Sequence, residues 1–211
     1  MSKIVHHIPE DMLAAYAAGT LPHGFAVVVA AHVSLCPDCR AALEAHHAAG
    51  GVLLESAGSV SVSDRLKADL LSRLDEPFTP EPVYERCGAY PGPVVQALKG
   101  RAPRWKSLGM GVRQDILSND AESSVRLLYI PGGQAVPDHS HHGLELTLVL
   151  QGSFHDETGR FGVGDLEIAD DTLEHTPIAD EGEPCICLAA TDAPLRFRAL
   201  VPRLLQPFFR I

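Results

Sequence analysis

The sequence predicts two domains, a small all-α helical bundle followed by an all-β domain. Residues 1–76 show helical patterns, whereas residues 105–211 contain short β-rich runs separated by Gly, Pro and Asp turns. Between them, residues 77–104 hold six of the 16 prolines, and each proline interrupts regular backbone pairing. We therefore expect a helical domain over 1–76, a proline-rich linker over 77–104 and a β domain over 105–211.

Composition narrows the classes of partner and compartment. The formal net charge of −10 argues against direct DNA or RNA binding and against anionic membranes, because phosphate binding needs a basic surface. No secretory signal is visible at the start, and the longest apolar run, in "GFAVVVAA", is far shorter than the ~20 residues of a membrane span. We expect a cytoplasmic protein. Its five cysteines, an odd number, favour reduced thiols or metal ligands over a disulfide framework.

Three stretches of the N-terminal region predict helices. "PEDMLAAYAAGTL" begins with proline and two acids, which suit the positive end of a helix, and ends near Gly19. "PHGFAVVVAAHVSLCPDCRAALEAHHAAGG" predicts one long helix or two helices broken near Pro37. "SVSDRLKADLLSRLDE" has polar caps at Ser61 and Ser63. Its leucines recur at four-residue spacing, at Leu66, Leu70 and Leu74. We expect these leucines to pack inside the bundle, with presentation to a groove on a partner as the alternative.

The C-terminal region predicts six strands, around 112–117, 125–130, 144–150, 165–168, 185–189 and 195–200. Short strands at this spacing, with turns between them, indicate a sandwich or a barrel.

A first candidate metal site lies in "HVSLCPDC", where His32 precedes Cys36 by four residues and Cys39 by seven. On a helix these positions lie along one stripe, and Pro37 fits the first turn of a following helix. Two thiolates and one imidazole leave one tetrahedral position, which a structural zinc site fills with protein. From spacing alone, His6 and His7 are almost equally good candidates for this fourth ligand. The alternatives are a thioredoxin-type redox pair, which would need a βαβ unit, and a buried thiol pair without metal.

A second candidate site lies in "PDHSHHGLELTLVLQG". If 139–150 is one extended strand, alternation places His139, His141 and Glu145 on one face and His142 on the other. His175, after the turn "GVGD" and a strand, is the candidate fourth ligand. Imidazole and carboxylate ligands suit zinc, iron, manganese or copper. A histidine cluster without metal is the alternative.

The spacing of this second site resembles that of the cupins. Gly133, His139, His141, Glu145 and Gly152 match the first cupin motif throughout. Residues 164–175 resemble the second motif more loosely, since Asp170 and Thr172 stand where cupins often have proline and glycine. The resemblance implies that the β domain is a cupin jelly-roll barrel.

Across the whole chain, "HHIPEDMLAAYAAGTL", "HVSLCPDCRA", "VPDHSHHGLELTLVLQG" and "CICLAATDAPLRF" together resemble zinc-binding anti-sigma factors of the ChrR type. The resemblance implies two metal sites, with zinc as the family's metal in both. The N-terminal ligands implied are His7, His32, Cys36 and Cys39. The cupin ligands implied are His139, His141, Glu145 and His175.

The resemblance also implies a function without catalysis. The helical domain would bind an extracytoplasmic-function sigma factor and block its contact with core RNA polymerase, and the cupin domain would be needed for release under singlet-oxygen or peroxide stress. Cys185 and Cys187, which share a strand face, are candidate targets of oxidation; burial as inert residues is the alternative for them, and Cys87 is expected to be an inert linker residue. The competing function is a metal-dependent cupin enzyme such as a dioxygenase.

Overall fold

The computed structural model describes residues 3–78, 80–136, 139–140, 143–193 and 196–197, with only the backbone described at 139–140 and 196–197. The N-terminal region contains helices α1 (Glu10–Ala17), α2 (His23–Leu35), α3 (Pro37–Ser56) and α4 (Asp64–Ser72), the last continued by a short 3-10 turn (Arg73–Asp75).

The long apolar stretch forms two helices, α2 and α3, rather than one. Cys36 between them is extended, with φ −102° and ψ 110°, and Pro37 begins α3 because the first turn of a helix needs no proline N–H. The two axes are bent by 116°. No single helix in the described ranges is long and apolar enough to cross a bilayer, although this bent pair meets the length and composition when taken together.

Helices α1, α2 and α3 pack around Leu13, Val28 and Leu43, which are all buried. Helix α4 does not join them, since every residue from 47 to 78 is exposed. The α3 residues buried in the structure, Cys39 and Leu43, lie in its first two turns, so the rest of α3 extends beyond the other two helices. The prediction that the α4 leucines pack inside a bundle is therefore wrong.

The predicted linker 77–104 contains a short helix, α5 (Gly92–Ala97), in its second half. Its proline lies in the first turn, where proline removes no helical hydrogen bond. Val94 and Leu98 are buried, and α5 packs against α2. Only the part before α5 has the irregular, exposed character expected of a flexible connection.

The described residues of the C-terminal region form three antiparallel sheets. The largest has the order β1 (Lys106–Gly109), β2 (Val112–Asn119), β3 (Ser124–Ile130), β11 (Cys185–Thr191), β5 (Glu145–Gln151) and β8 (Leu166–Ala169). A second has the order β10 (Ile178–Ala179), β6 (Ser153–His155) and β7 (Arg160–Gly162). The third has the order β12 (Arg196–Phe197), β4 (His139–Ser140) and β9 (Glu174–His175). Five predicted strands are confirmed. The sixth, 195–200, meets β12, and the rest of it lies outside the described residues.

The strand expected over 139–150 is interrupted. β4 and β5 belong to different sheets, and the chain turns between them at Gly143 and Leu144. The Leu144 N–H donates to Asp192 Oδ1 at 2.8 Å, which fixes the entry into β5. The stretch 139–150 is therefore not one strand, and the convergence of His139, His141 and Glu145 stays a prediction. Within the described part of the chain the three sheets form no single closed ladder, so a closed barrel is not confirmed.

The six-stranded sheet has one face toward the helices and one toward the interior of the β domain. Along β5, Leu146, Leu148 and Leu150 join a core shared with α1, α2, α3 and α5. Val149 points the other way, into a second core with Phe154 and Phe161. Because α2 packs across β3, β5 and β11, the helical and β regions share buried apolar surface.

Candidate metal centres

The first candidate centre forms where α2 ends and α3 begins. His32 lies in the last turn of α2, Cys36 caps α3, and Cys39 lies in its first turn. The extended segment before α1 adds His7, whose Nδ1 lies 3.3 Å from Cys36 Sγ and 3.5 Å from Cys39 Sγ. His32 Nε2 lies 3.3 Å from Cys39 Sγ. One donor atom from each of the four residues lies within 4.8 Å of all the others.

Burial controls protonation at this centre. Burial, followed by the nearby His7, lowers the pKa of His32 to about 4, so its imidazole is neutral and has a lone pair free to bind a cation. Burial also raises the pKa of the Cys39 thiol to about 11, and the neighbouring Cys36 adds to this, although the Ile8 backbone N–H opposes it. Without a cation Cys39 is therefore a thiol, and a bound metal would displace its proton.

The donor set fits a tetrahedral zinc ion. Zn–S bonds of about 2.3 Å and Zn–N bonds of about 2.0–2.1 Å give N···S edges of about 3.5 Å. The N···S distances in the structure, 3.3 to 3.5 Å, are close to this value. The four residues could therefore bind a metal ion, and two thiols with two imidazoles suit zinc.

His6 points away from this centre. Its Nδ1 lies 3.4 Å from Asp165 Oδ1, and its ring packs against Phe161 at 4.4 Å between centroids, with the ring planes tilted by 39°. Neighbouring residues of an extended chain face opposite sides, so only one of the two histidines can face the thiols. The structure brings His7 to the cluster, a choice that spacing left open.

The second candidate centre lies in the β domain. β4 pairs with β9 in a register that sets His139 opposite His175. Glu145, at the start of β5, is buried and accepts a hydrogen bond from Thr147 Oγ1 at 2.9 Å. His141 and His142 lie outside the described residues, as does the side chain of His139. The structure thus places part of the predicted ligand set.

His175 has two carboxylate partners that sequence reasoning missed. Its Nδ1 lies 2.7 Å from Asp156 Oδ2 and 3.1 Å from Glu167 Oε1. Burial lowers the pKa of His175, but Glu167 and then Asp156 outweigh it and raise the pKa to about 9. Burial, with Asp156 adding, raises the pKa of Glu167 to about 7. Carboxylates on Nδ1 fix the ring of a histidine, as they do where the other nitrogen binds metal.

These three residues also form a compact group, with one donor atom from each within 4.8 Å of the others. Glu167 lies inside a predicted strand and Asp156 in the turn "HDETG". Neither residue has a sequence signal that separates a buried acid from an exposed one, so only the fold identifies them.

Comparison with known proteins places these centres in a family. Residues 96–193 match the family described as the ChrR cupin-like domain. The chain is 54% identical over 211 residues to the anti-sigma-E factor ChrR of Cereibacter sphaeroides, and the match covers 99% of each chain. This chain belongs to the ChrR family of anti-sigma factors. Its β domain is accordingly cupin-like.

One solved structure agrees with the ChrR assignment. The crystal structure of Rhodobacter sphaeroides SigE in complex with the anti-sigma ChrR matches with a TM-score of 0.80 and 52% identity, covering 90% of this chain and 100% of that chain. An RmlC-like cupin protein from Ralstonia eutropha matches at 21% identity and a TM-score of 0.42, covering 46% of this chain and 68% of that one.

The remaining cysteines of this ChrR family member differ in exposure. Cys185 and Cys187 lie side by side in β11 with their Sγ atoms 3.5 Å apart, as their shared strand face predicts. Both are buried, and the contact with Cys185, with burial, raises the pKa of Cys187 well above its usual value. Cys187 is therefore a thiol and a poor nucleophile in this conformation. Cys87 is exposed, and all five cysteines are free.

Proposed function

We propose that this chain binds and inhibits an extracytoplasmic-function sigma factor through its helical region, and that a zinc ion held by His7, His32, Cys36 and Cys39 organises that region. The assignment is supported by the ChrR relative and by the crystal structure in which a ChrR protein is complexed with SigE. The match spans 99% of the ChrR relative and 100% of the matched chain in the solved structure.

The observation that carries the proposal is the exposed apolar surface on 47–78, which we call the sigma-facing segment. It comprises the second half of α3, the connection to α4, and α4 itself, and none of its residues is buried. The leucines of α4 and of the 3-10 turn after it are 46% to 78% exposed: Leu66, Leu70, Leu71 and Leu74. A chain that leaves this many large apolar side chains in water has a partner that covers them. An amphipathic helix laid into a groove of that partner fits this surface.

Zinc would serve this region as a structural ion. Its ligands come from the extended N-terminal segment, the end of α2 and the start of α3, so one ion would join three parts of a small helical core. Such cores often depend on a metal for stability. The ion would thus hold α3 at a fixed angle to α2 and so aim the sigma-facing segment.

For the cupin centre we propose His139, His141, Glu145 and His175 as ligands, again of zinc. This is supported by the buried Glu145, by the β4–β9 pairing and by the carboxylates that orient His175.

We propose the division into 1–76, 77–104 and 105–211, a location in the cytoplasm where sigma factors act, and release under singlet-oxygen or peroxide stress. The named relatives are regulators, which favours this function over a cupin enzyme.

Co-purification with a sigma factor tests the proposal. Full-length chain is co-expressed with the extracytoplasmic-function sigma factor encoded beside it, and the complex is isolated through a tag on the sigma factor. We expect a complex with the natural chain, and loss of most of it with Cys36→Ala or Cys39→Ala. Cys87→Ala is the matched control, because Cys87 is exposed and is not one of the four clustered residues.

Metal analysis accompanies this test. We expect about two zinc ions per natural chain, about one in Cys36→Ala and about one in His175→Ala. A natural chain that forms no complex with the sigma factor would overturn the proposed function. An unchanged metal content in Cys36→Ala would remove zinc from the first centre.

A further inference from the structure

The extended N-terminal segment that contains His7 is bound to a loop of the cupin domain. We call residues 162–166 the docking loop. Asp165 Oδ1 accepts hydrogen bonds from the backbone N–H groups of Val5, at 2.7 Å, and His6, at 2.9 Å. The Leu166 N–H donates to the His6 carbonyl oxygen at 3.3 Å. The peptide units on both sides of His6 are therefore held by residues about 160 positions away in the sequence.

Side-chain packing reinforces these hydrogen bonds. Gly164 has φ +92°, and a Cβ built there would lie 2.5 Å from Ile4 Cδ1, so only glycine permits this approach. The His6 ring packs against the Phe161 ring. Asp165 Oδ2 accepts a hydrogen bond from the Gly162 N–H at 2.9 Å, and the residue is only 4% exposed. A hydrogen bond within its own loop thus fixes the Asp165 carboxylate, while its other oxygen binds the N-terminal segment.

We propose that Asp165 is a positioning residue for the zinc ligand His7, so that the cupin domain completes the metal centre of the helical region. The inference rests on the zinc site proposed above. Because the peptide units on both sides of His6 are fixed, the backbone of His7 has a fixed position from which its ring reaches the thiols. Without Asp165 the segment loses two of its three backbone hydrogen bonds to the docking loop, so His7 is held less firmly.

The position of the loop makes this contact relevant to release. Leu166 begins β8, and the next residue, Glu167, contacts Nδ1 of His175 at 3.1 Å. The strand that supports the proposed cupin centre therefore begins at the residues that hold the N-terminal segment. A rearrangement at that end of β8 would act on His7 without any change in α2 or α3.

The test measures how quickly the first centre loses its ion. Zinc-loaded full-length chain is mixed with a chelator and an alkylating reagent, and modification of Cys36 and Cys39 is followed by peptide mass spectrometry. This readout is specific to the first centre, and exposed Cys87 in the same molecule calibrates the reagent. We expect Asp165→Ala to accelerate modification of both thiols by about 10- to 100-fold, as is usual when a group supporting a metal ligand is lost.

Matched variants separate docking from folding. Asp180→Ala removes another cupin carboxylate, one that binds Ser153, His155 and Arg160 instead of the segment, and should leave the rate unchanged. Ile4→Ser weakens docking from the N-terminal side and leaves the docking loop intact, so it should accelerate modification in the same direction. Val5→Ser is its control, because the Val5 side chain is 58% exposed and its N–H is kept.

The outcomes distinguish this inference from the proposed function. Protected thiols in the natural chain, with rates for Asp165→Ala and Ile4→Ser within twofold of it, overturn the inference and leave the zinc site standing. Thiols that are unprotected in zinc-loaded natural chain overturn the zinc site itself. If Asp165→Ala does not fold, as judged by circular dichroism, Ile4→Ser against Val5→Ser decides the question alone.

Discussion

At the scale of single residues, the first centre combines a neutral imidazole with a protonated thiol. Burial lowers the pKa of His32 to about 4, which prepares it as a ligand without any proton to lose near neutral pH. Burial raises the pKa of Cys39 to about 11, so this thiol must lose its proton when an ion binds. Proton release on binding therefore comes from sulfur and not from His32.

This difference predicts a pH dependence of zinc binding. Below the pKa of Cys39 each bound zinc displaces at least one proton, so the apparent association constant should rise at least tenfold per pH unit from about pH 6 to about pH 8. His32 adds nothing to the slope because it is already neutral there. Chelator competition on the His175→Ala chain, which isolates the first centre, measures the slope. An affinity independent of pH would show that Cys39 is already a thiolate in the metal-free protein.

Residue types and spacing predicted the members of the first centre but not the choice between His6 and His7. That choice depends on which face of the extended segment meets the cupin domain, and Asp165 decides it from about 160 residues away. Asp156 and Glu167 were missed for a similar reason. Their role depends on burial beside His175, and a single sequence does not show which acidic residues are buried.

At the scale of elements, α4 is a formed helix without an intramolecular partner in the part of the chain described. Ser63 caps it by accepting a hydrogen bond from the Leu66 N–H at 3.2 Å. Isolated helices of this length are marginal in water, because most helical stability comes from packing of the apolar face. The helix is therefore best stabilised when a partner covers its leucines.

A charge on that apolar face should weaken sigma-factor binding and spare the fold. Burying a leucine contributes about 1.5–3 kcal/mol, so Leu70→Asp should raise the Kd by about 10- to 100-fold. Because Leu70 is 53% exposed, the melting temperature should hardly change. Binding is measured by isothermal titration calorimetry. Ala68→Asp is the control, since residue 68 is exposed and lies on the opposite face of α4. Equal losses in both variants would assign the effect to charge and not to the leucine face.

The elements themselves were largely predictable where their patterns were long. α1, the break at Pro37 and five of the strands follow from periodicity and from turn residues. The short strands β4, β6, β7, β9 and β10 were not predicted, because two or three residues show no alternation. Helix α5 was hidden by the prolines of the linker, one of which lies in its first turn.

At the scale of the whole molecule, the helical region and the cupin-like sheet are held together by one core. Phe25, Val28 and Val29 of α2 belong to the same buried cluster as Leu148 and Leu188 of the sheet. The sequence predicted two domains joined by a proline-rich linker, and it does not reveal that the leucine face of β5 is covered by helices. A conformational change in the cupin-like sheet would therefore act directly on α2.

The shared core predicts cooperative unfolding of α1–α3 with the β domain. Trp105, the single tryptophan, packs against this core from the sheet side and reports on the β domain, whereas circular dichroism at 222 nm reports mainly on the helices. The two signals should change at one urea midpoint. Leu148→Ala should lower both midpoints together and reduce the free energy of unfolding by about 2–5 kcal/mol, because Leu148 is fully buried between sheet and helices. Leu74→Ala, in the exposed 3-10 turn after α4, should shift neither. Two separate midpoints in the natural chain would show that the domains fold independently, and the contact between α2 and the sheet would then be too weak to transmit a signal.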